Sequence, residues 1–162
     1  MKTKIFAIGF FILAIMLVSC DKSVVYEENH VFEGSVWNST DTAFFEFSNS
    51  DTLIPLNILI SLKNNDNYPF NNIWFFVTTV FPDKKQITDT IDYILQNPRG
   101  KWFGLSLGEV YGRYLPYRIN RPLPIKGKYT IKICQAMRKE NLEGIKNIGL
   151  RIEKSKQIKK KK

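Results

Sequence analysis

Residues 73–81, with the sequence IWFFVTTVF, carry the clearest secondary-structure signal in this chain. Aromatic and β-branched side chains occupy both alternating sets of positions, which is typical of a central strand covered on both faces. Residues 82–85, PDKK, follow as a turn, and residues 86–95 form the partner strand of a predicted hairpin. The chain therefore contains an antiparallel strand pair near its middle.

The partner strand of this hairpin has one irregular position. Ile87, Ile91, Tyr93 and Leu95 alternate with polar residues and are expected to face inward. Asp89 shares their parity, so the strand would place a carboxylate among apolar side chains. A bend, a bulge or a hydrogen-bonded aspartate would accommodate it.

Short segments with the same alternation lie on both sides of the hairpin. They are predicted as strands at residues 43–47, 56–62, 128–136 and 145–153, and residues 141–144 as a loop. The sequence has neither a βαβ rhythm nor a long amphipathic helix. We therefore expect an all-β protein, a single antiparallel β-sandwich that is Ig-like or jelly-roll-like.

The N-terminal segment has the pattern of a secretory signal. Lys2 and Lys4 precede an apolar run at residues 5–18, which is shorter than the ~20 residues that cross a bilayer. The string Leu17-Val18-Ser19-Cys20 at its end resembles a bacterial lipobox, which predicts cleavage before Cys20 and lipidation of its sulfur. An ordinary signal peptide with a chance cysteine, or an uncleaved anchor, are the alternatives. The predicted divisions are a signal peptide (1–19), a lipidated tether (20–29), the sandwich (30–153) and a lysine-rich tail (154–162).

Charge is concentrated in that tail. The chain has 24 Lys and Arg against 15 Asp and Glu, a net charge of +9, and six of the lysines lie within residues 154–162. The body is close to neutral, so no nucleic-acid partner is expected. A terminal lysine block is usually solvated, and contact with anionic lipid headgroups or an acidic partner is the alternative. We favour the solvated tail because Ile158 is the single apolar residue among its lysines.

The sequence offers little material for catalysis or for a cofactor. His30 is the single histidine, and it has neither a set of metal ligands nor a nucleophile motif beside it. Cys134 is expected to be a buried, inert thiol, since lipidation of Cys20 leaves it without a disulfide partner. A carboxylate pair could still be drawn from the aspartates at positions 66, 83, 89 and 92. We predict a protein that is not an enzyme and holds no metal or cofactor.

Residues 101–117 contain aromatic residues among glycines and follow neither the helical nor the strand period. Trp102, Tyr111 and Tyr114 are the candidate binding residues, since aromatic side chains on loops can stack on sugars or anchor a protein partner. Packing of the same side chains beneath a long loop explains the composition equally well.

Six short motifs lie in order along the chain: Tyr68-Pro69-Phe70-Asn71-Asn72-Ile73; Phe81-Pro82-Asp83 with Ile87-Thr88-Asp89-Thr90; Gly100-Lys101-Trp102 followed by Gly104; Gly127-Lys128-Tyr129-Thr130; Gln135-Ala136-Met137-Arg138; and Gly149-Leu150-Arg151-Ile152-Glu153. Behind a lipobox, this series resembles the gliding-motility lipoprotein GldH family of the Bacteroidetes. The resemblance extends from about residue 26 to residue 154 and leaves the lysine tail outside.

The resemblance implies an outer-membrane lipoprotein needed for gliding and linked to type IX secretion, with no enzymatic activity or cofactor. Its acylated cysteine, which would carry chains such as palmitate, corresponds to Cys20. Partners would be the membrane, through Cys20, and envelope proteins of the gliding or type IX secretion apparatus. Asp21-Lys22-Ser23 lacks the acidic run of a surface-export signal, so we expect the protein to face the periplasm. The alternative is a glycan-binding envelope lipoprotein that uses the aromatic segment.

Overall fold

A computed structural model describes residues 23–155, in which eleven strands form two main antiparallel sheets and a small third one. The strands are β1 (Val24–Val31), β2 (Val36–Asn38), β3 (Ala43–Asn49), β4 (Leu56–Asn65), β5 (Asn72–Val80), β6 (Gln86–Ile94), β7 (Leu105–Leu107), β8 (Val110–Arg121), β9 (Gly127–Gln135), β10 (Asn141–Glu143) and β11 (Ile145–Lys154). One 3₁₀ turn, Glu33–Ser35, is the sole helical element of the described residues. The predicted all-β sandwich is confirmed.

The two main sheets differ in width. The five-stranded sheet has the order β1-β11-β4-β8-β7, and the four-stranded sheet has the order β3-β9-β5-β6. Strands β2 and β10 pair only with each other in a two-stranded sheet. Strand β5 has neighbours on both sides, which agrees with its prediction as a central strand.

Alternating apolar residues from both main sheets fill the core. The alternating apolar residues of β4, β9 and β11 are all buried, namely Leu56, Ile58, Ile60, Leu62, Tyr129, Ile131, Ile133, Ile148, Leu150 and Ile152. Burial of this apolar surface, at about 25 cal/mol per Å², is the main source of the fold's stability.

The prediction that β5 is covered on both faces is wrong. Ile73, Phe75 and Val77 face the core and are fully buried, whereas Trp74 is 39% and Phe76 is 46% exposed. A sandwich gives each sheet one covered face, so the alternate residues of β5 face outward. The continuous apolar pattern arises because aromatic residues occupy an exposed face.

Strand β6 lies at the edge of its sheet and is less covered than predicted. Ile87 is 49% exposed, which corrects its inward assignment, whereas Leu95, just beyond the strand, is buried. Asp89 accepts hydrogen bonds from the Tyr117 hydroxyl at 2.6 Å and from Nη2 of Arg118 at 3.1 Å. The hydrogen-bonded aspartate is therefore the correct explanation of the irregular position.

Three strands lie where the sequence predicts irregular chain. Residues 101–117, predicted as irregular, contain β7 and most of β8, the longest strand. Residues 141–144, predicted as a loop, contain β10, which pairs with β2. Glycines interrupt the first segment, and the partner of the second lies about 100 residues away in sequence, so neither gives a local pattern.

The tether predicted for residues 20–29 is too long. Strand β1 begins at Val24 and pairs with β11, so the domain also begins before the predicted residue 30. Polar side chains at the edge of the sheet, such as Glu27 and Glu28, gave this segment the composition of a linker. Cys20, the signal peptide (1–19) and residues 156–162 of the tail lie outside the described residues.

The strands run between two ends of the sandwich. One end, which we call the near end, holds both Ser23 and Lys154 and the loops at residues 50–55, 81–85 and 122–126. We call the far end the one that holds β2, β10 and the loop at residues 95–104. Ten residues of β11 separate the two ends, a length of about 30 Å.

Candidate binding surfaces

Within residues 23–155, no group of three or more His, Cys, Asp or Glu could hold a metal ion. His30 lies with its Nε2 3.5 Å from Asp41 Oδ2 at a partly exposed site. Cys134 is partly buried, and its sulfur lies 3.1 Å from the Thr42 hydroxyl. No helix in the same part of the chain is long and apolar enough to span a bilayer.

The four aspartates considered as a carboxylate pair lie apart. Asp66 accepts from Trp102 at the far end, whereas Asp83 pairs with Lys85 at the near end. Asp89 and Asp92 share strand β6 but lie an odd number of residues apart, so they point to opposite faces. The structure therefore brings no two of them to one site.

Trp102 and Tyr111, two of the candidate binding residues, form one packed cluster. Their ring centroids are 5.6 Å apart, and Trp102 also contacts Tyr68, with 6.1 Å between centroids. Trp102 Nε1 donates to Asp66 at 2.9 Å, and the Tyr111 hydroxyl donates to the other carboxylate oxygen at 3.4 Å. Partial burial and this hydrogen bond raise the pKa of the Tyr111 phenol. The indole uses its one donor within the protein, which fits packing better than ligand binding.

Tyr114, the third candidate, lies elsewhere. It is three residues beyond Tyr111 on β8 and so faces the outer side of the five-stranded sheet. Its hydroxyl donates to Glu27 at 2.7 Å, and this hydrogen bond raises its pKa. The Arg151 guanidinium lies 5.3 Å from its ring centroid and pairs with Glu27 at 2.6 Å and with Glu153 at 3.2 Å. Tyr114 is thus part of an ionic network rather than of the Trp102 cluster.

The outer side of the four-stranded sheet carries a surface that the sequence analysis missed. We call the side chains of Phe44, Trp74 and Phe76 on it the aromatic face; they are 56%, 39% and 46% exposed. Lys132, directly opposite Phe44 in the sheet, places its Nζ 5.7 Å from that ring. Three exposed aromatic rings on one rigid sheet are a chemistry suited to binding a protein surface.

A groove adjoins the aromatic face toward the far end. It has a volume of about 650 Å³ and is lined by Phe70, Asn72, Trp74, Ala136, Met137, Arg138 and Lys139. The Met137 sulfur accepts from the Trp74 backbone N–H at 3.3 Å, which fixes the loop after β9 against β5. The apolar floor of the groove and the basic side chains of Arg138 and Lys139 beside it resemble the core and rim of a protein interface.

The signal for the aromatic face was present in the sequence. Trp74 and Phe76 alternate with the buried Ile73, Phe75 and Val77, so one of the two sets must face outward in a sandwich. Sequence alone could not say that the outward set was uncovered, because residues of a third layer could have packed on it.

Comparison with known proteins identifies relatives along nearly the full chain. A family model described as GldH lipoprotein matches residues 24–152. A gliding motility lipoprotein GldH homolog from Christiangramia forsetii is 36% identical over 93% of this chain and 96% of that protein. The gliding motility lipoprotein GldH of Flavobacterium johnsoniae is 35% identical over 86% of this chain and 91% of that protein.

Similarity to solved structures is more distant. A family GH115 4-O-methyl-alpha-glucuronidase aligns with a TM-score of 0.46 at 15% identity, over 85% of this chain and 18% of that one. Dimeric latent PorU from Porphyromonas gingivalis aligns with a TM-score of 0.36 at 9% identity, over 85% of this chain and 14% of that one.

Proposed function

Because the chain belongs to the GldH lipoprotein family, we propose that it acts in gliding motility as a non-enzymatic accessory component of the gliding and type IX secretion machinery. Lipidation of Cys20 would anchor it to the outer membrane, on the periplasmic side. The role would be exercised through contacts with other envelope proteins rather than through chemistry on a substrate.

The aromatic face is the observation that carries this proposal. Phe44 and Phe76 are half exposed on a sheet that packs into the core through its opposite face, so folding does not require their size or apolarity. Exposed aromatic side chains beside a groove with a basic rim supply the anchors and the polar border of a protein interface. We therefore place the partner contact on this face.

Capture of partners from cells tests the proposal. Tagged, membrane-anchored protein would be crosslinked mildly, purified, and compared with a Phe44→Thr/Phe76→Thr variant, in which β-branched residues preserve strand propensity. We expect components of the gliding or secretion apparatus to be recovered with the native protein and to fall at least about fivefold with the variant, since interface aromatic residues dominate binding. The matched control is Leu105→Thr/Leu107→Thr, which removes two exposed leucines from β7, on the other sheet.

Equal recovery from the two variants would refute the aromatic face as the docking surface. A Cys20→Ala form tests the anchor separately, because it should weaken membrane attachment and reduce recovery of the same partners.

Glycan binding through the aromatic segment is the alternative with less support. Trp102 is half-buried and hydrogen-bonded to Asp66, and Tyr114 faces the other side of its sheet, so the predicted residues do not form one stacking platform. Saturable sugar binding that is lost in Trp102→Ala would favour this alternative.

A further inference from the structure

Both ends of the described chain meet at the near end of the sandwich. The Lys154 backbone N–H donates to the Ser23 carbonyl at 2.8 Å, which closes the edge between β1 and β11. Ser23 is three residues beyond Cys20, and the lysine tail continues directly from Lys154. A lipid on Cys20 and the lysines of the tail therefore leave the sandwich at one place.

The loops of the near end have an excess of positive charge. Four exposed basic side chains, in these loops or at the last residues of β8 and β11, make no ion pair with any described residue: Lys84, Arg121, Lys126 and Lys154. The acidic residues of these loops are Asp51 and Asp83, and Asp83 is paired with Lys85 at 3.2 Å. The near end is thus positive even before the tail is counted.

The far end has no such excess. Its exposed loops and short strands carry four exposed basic residues, Arg99, Lys101, Arg138 and Lys139, and five exposed acidic residues, Glu33, Asp66, Glu109, Glu140 and Glu143. A body that is close to neutral overall therefore has its positive charge concentrated at the end where Ser23 and Lys154 meet.

An apolar side chain accompanies the basic residues of the near end. Leu53 lies in the loop between β3 and β4 and is 84% exposed, and its backbone N–H donates to the Asp51 carboxylate at 2.8 Å. The turn thus holds a leucine outward beside cationic side chains. Exposed apolar and basic side chains together are the usual composition of a surface that rests on a bilayer.

We propose that the near end of the sandwich forms a docking surface for an anionic lipid bilayer. The cationic side chains would contact the phosphate groups of acidic phospholipids, and Leu53 would enter the headgroup region. Charge complementarity and the shared exit point of Cys20 and the tail favour a lipid surface over a protein partner. A basic surface next to an acyl anchor supplies a second attachment signal, which strengthens the reversible hold of acyl chains.

Vesicle sedimentation tests the docking surface without the acyl anchor. The protein would be residues 20–162 with Cys20→Ser, which keeps every core residue, since these lie between residues 32 and 152. Binding would be measured on phosphatidylcholine vesicles with and without about one third phosphatidylglycerol, over a series of salt concentrations.

Two variants remove the positive charge in separate parts. One chain is truncated after Ser155, and the other carries four glutamine substitutions at Lys84, Arg121, Lys126 and Lys154. The matched control carries four glutamine substitutions at the far end, at Arg99, Lys101, Arg138 and Lys139. Urea unfolding of each variant would verify that the fold is retained.

We expect the unmodified near end to prefer the anionic vesicles, and the preference to weaken as salt rises. The variant with four near-end substitutions should lose about tenfold or more of its partition, whereas the far-end control should stay within about twofold. Equal partition on both vesicle types would overturn the proposal, and so would equal losses from the two sets of four substitutions. Loss from the truncation alone would refute a docking surface on the domain. Any of these failures would leave docking through the aromatic face untouched.

Discussion

At the scale of the residue, burial decides how much an ion pair contributes. Arg151 pairs with Glu27 at 2.6 Å with 17% of its side chain exposed, whereas Lys128 pairs with Glu46 at the same distance with 63% exposed. Exposed pairs contribute little because water screens them and because ordering two long side chains costs entropy. A largely covered arginine also leaves carboxylates without a partner when it is removed.

Replacing Arg151 with methionine should therefore lower the free energy of unfolding by about 1–3 kcal/mol, mostly because Glu27 and Glu153 lose their shared cation. Lys128→Met is the control, with a change close to the error of measurement. Urea denaturation of both variants and the native protein measures the difference. Equal losses would show that exposure does not distinguish the two pairs.

Tyr93 should make stability fall at alkaline pH. Burial raises the pKa of Tyr93 to about 12, and its hydroxyl donates to the Pro116 carbonyl at 2.8 Å. Because the folded protein holds this proton more tightly than the unfolded chain, the stabilisation is complete below the ordinary pKa of 10.0 and is lost as pH rises through about 12.

Urea midpoints measured from pH 9 to pH 12 in about half-unit steps would check this dependence. Tyr93→Phe should be less stable at neutral pH by about 1 kcal/mol, since one hydrogen bond is lost, and should show a shallower alkaline decline. Tyr117, whose pKa burial and the Asp89 carboxylate also raise, would keep part of the decline in the variant. Parallel curves for the two proteins would contradict the assignment to Tyr93.

At the scale of the element, strands in which apolar and polar residues alternate regularly could be predicted from the sequence. Strands β4, β9 and β11 bury one alternating set each, and local alternation is sufficient to find them. Strand β8 was not predicted because Gly112 and Pro116 lie within it and because both of its faces carry apolar as well as polar side chains. Strand β10 was not predicted because three residues are too few to show a period. Its partner β2 also lies far away in the sequence, so no local pattern indicates the pairing.

The candidate site was less predictable than the fold. Trp102 and Tyr111 were selected as loop aromatics, yet their environment depends on Asp66, which lies in another connection. Phe44 and Trp74 were assigned to strands correctly, but their exposure depends on how many layers the fold contains. The sequence shows where the aromatic residues are, whereas tertiary packing decides which of them remain exposed to solvent.

The turn between β10 and β11 depends on one glycine. Gly144 has φ +80°, and a Cβ atom there would lie 2.2 Å from the Tyr68 backbone nitrogen. Gly144→Ala should cost more than about 3 kcal/mol, because backbone must move as well as adopt a strained φ. Gly34→Ala is the control, since Gly34 has φ +60° with no atom within 4 Å of its Cβ position, and should cost about 1 kcal/mol.

Thermal or urea unfolding compares these two variants. If Gly144→Ala does not fold in buffer, the unfolding of both alanine variants is measured in a stabilising osmolyte, and their relative stability is compared there. Equal stability of the two alanine variants would show that the connection between β4 and β5 can shift away from Gly144.

At the scale of the whole molecule, attachment and recognition lie in different places. Both ends of the described residues, and the four cations that make no ion pair within them, lie at the near end, whereas the groove beside Trp74 lies toward the far end. The aromatic face runs along the side of the sandwich between them. A protein attached at the near end would hold its strands away from the membrane plane and present this side to neighbouring envelope proteins.

The native tryptophans report this orientation without any label. All three tryptophans of the sequence lie toward the far end: Trp37 on β2, Trp74 near the start of β5, and Trp102 in the loop before β7. Since about 30 Å of strand separates the two ends, the indoles should remain beyond the reach of short-range quenchers placed in the bilayer. Acylated protein in anionic vesicles with brominated lipid should therefore show tryptophan emission close to that in unbrominated vesicles.

A Leu53→Trp variant is the positive control, because its added indole at the near end should be quenched. Strong quenching of the native tryptophans would mean that the sandwich lies on its side or rests on its far end, and would reject the proposed orientation.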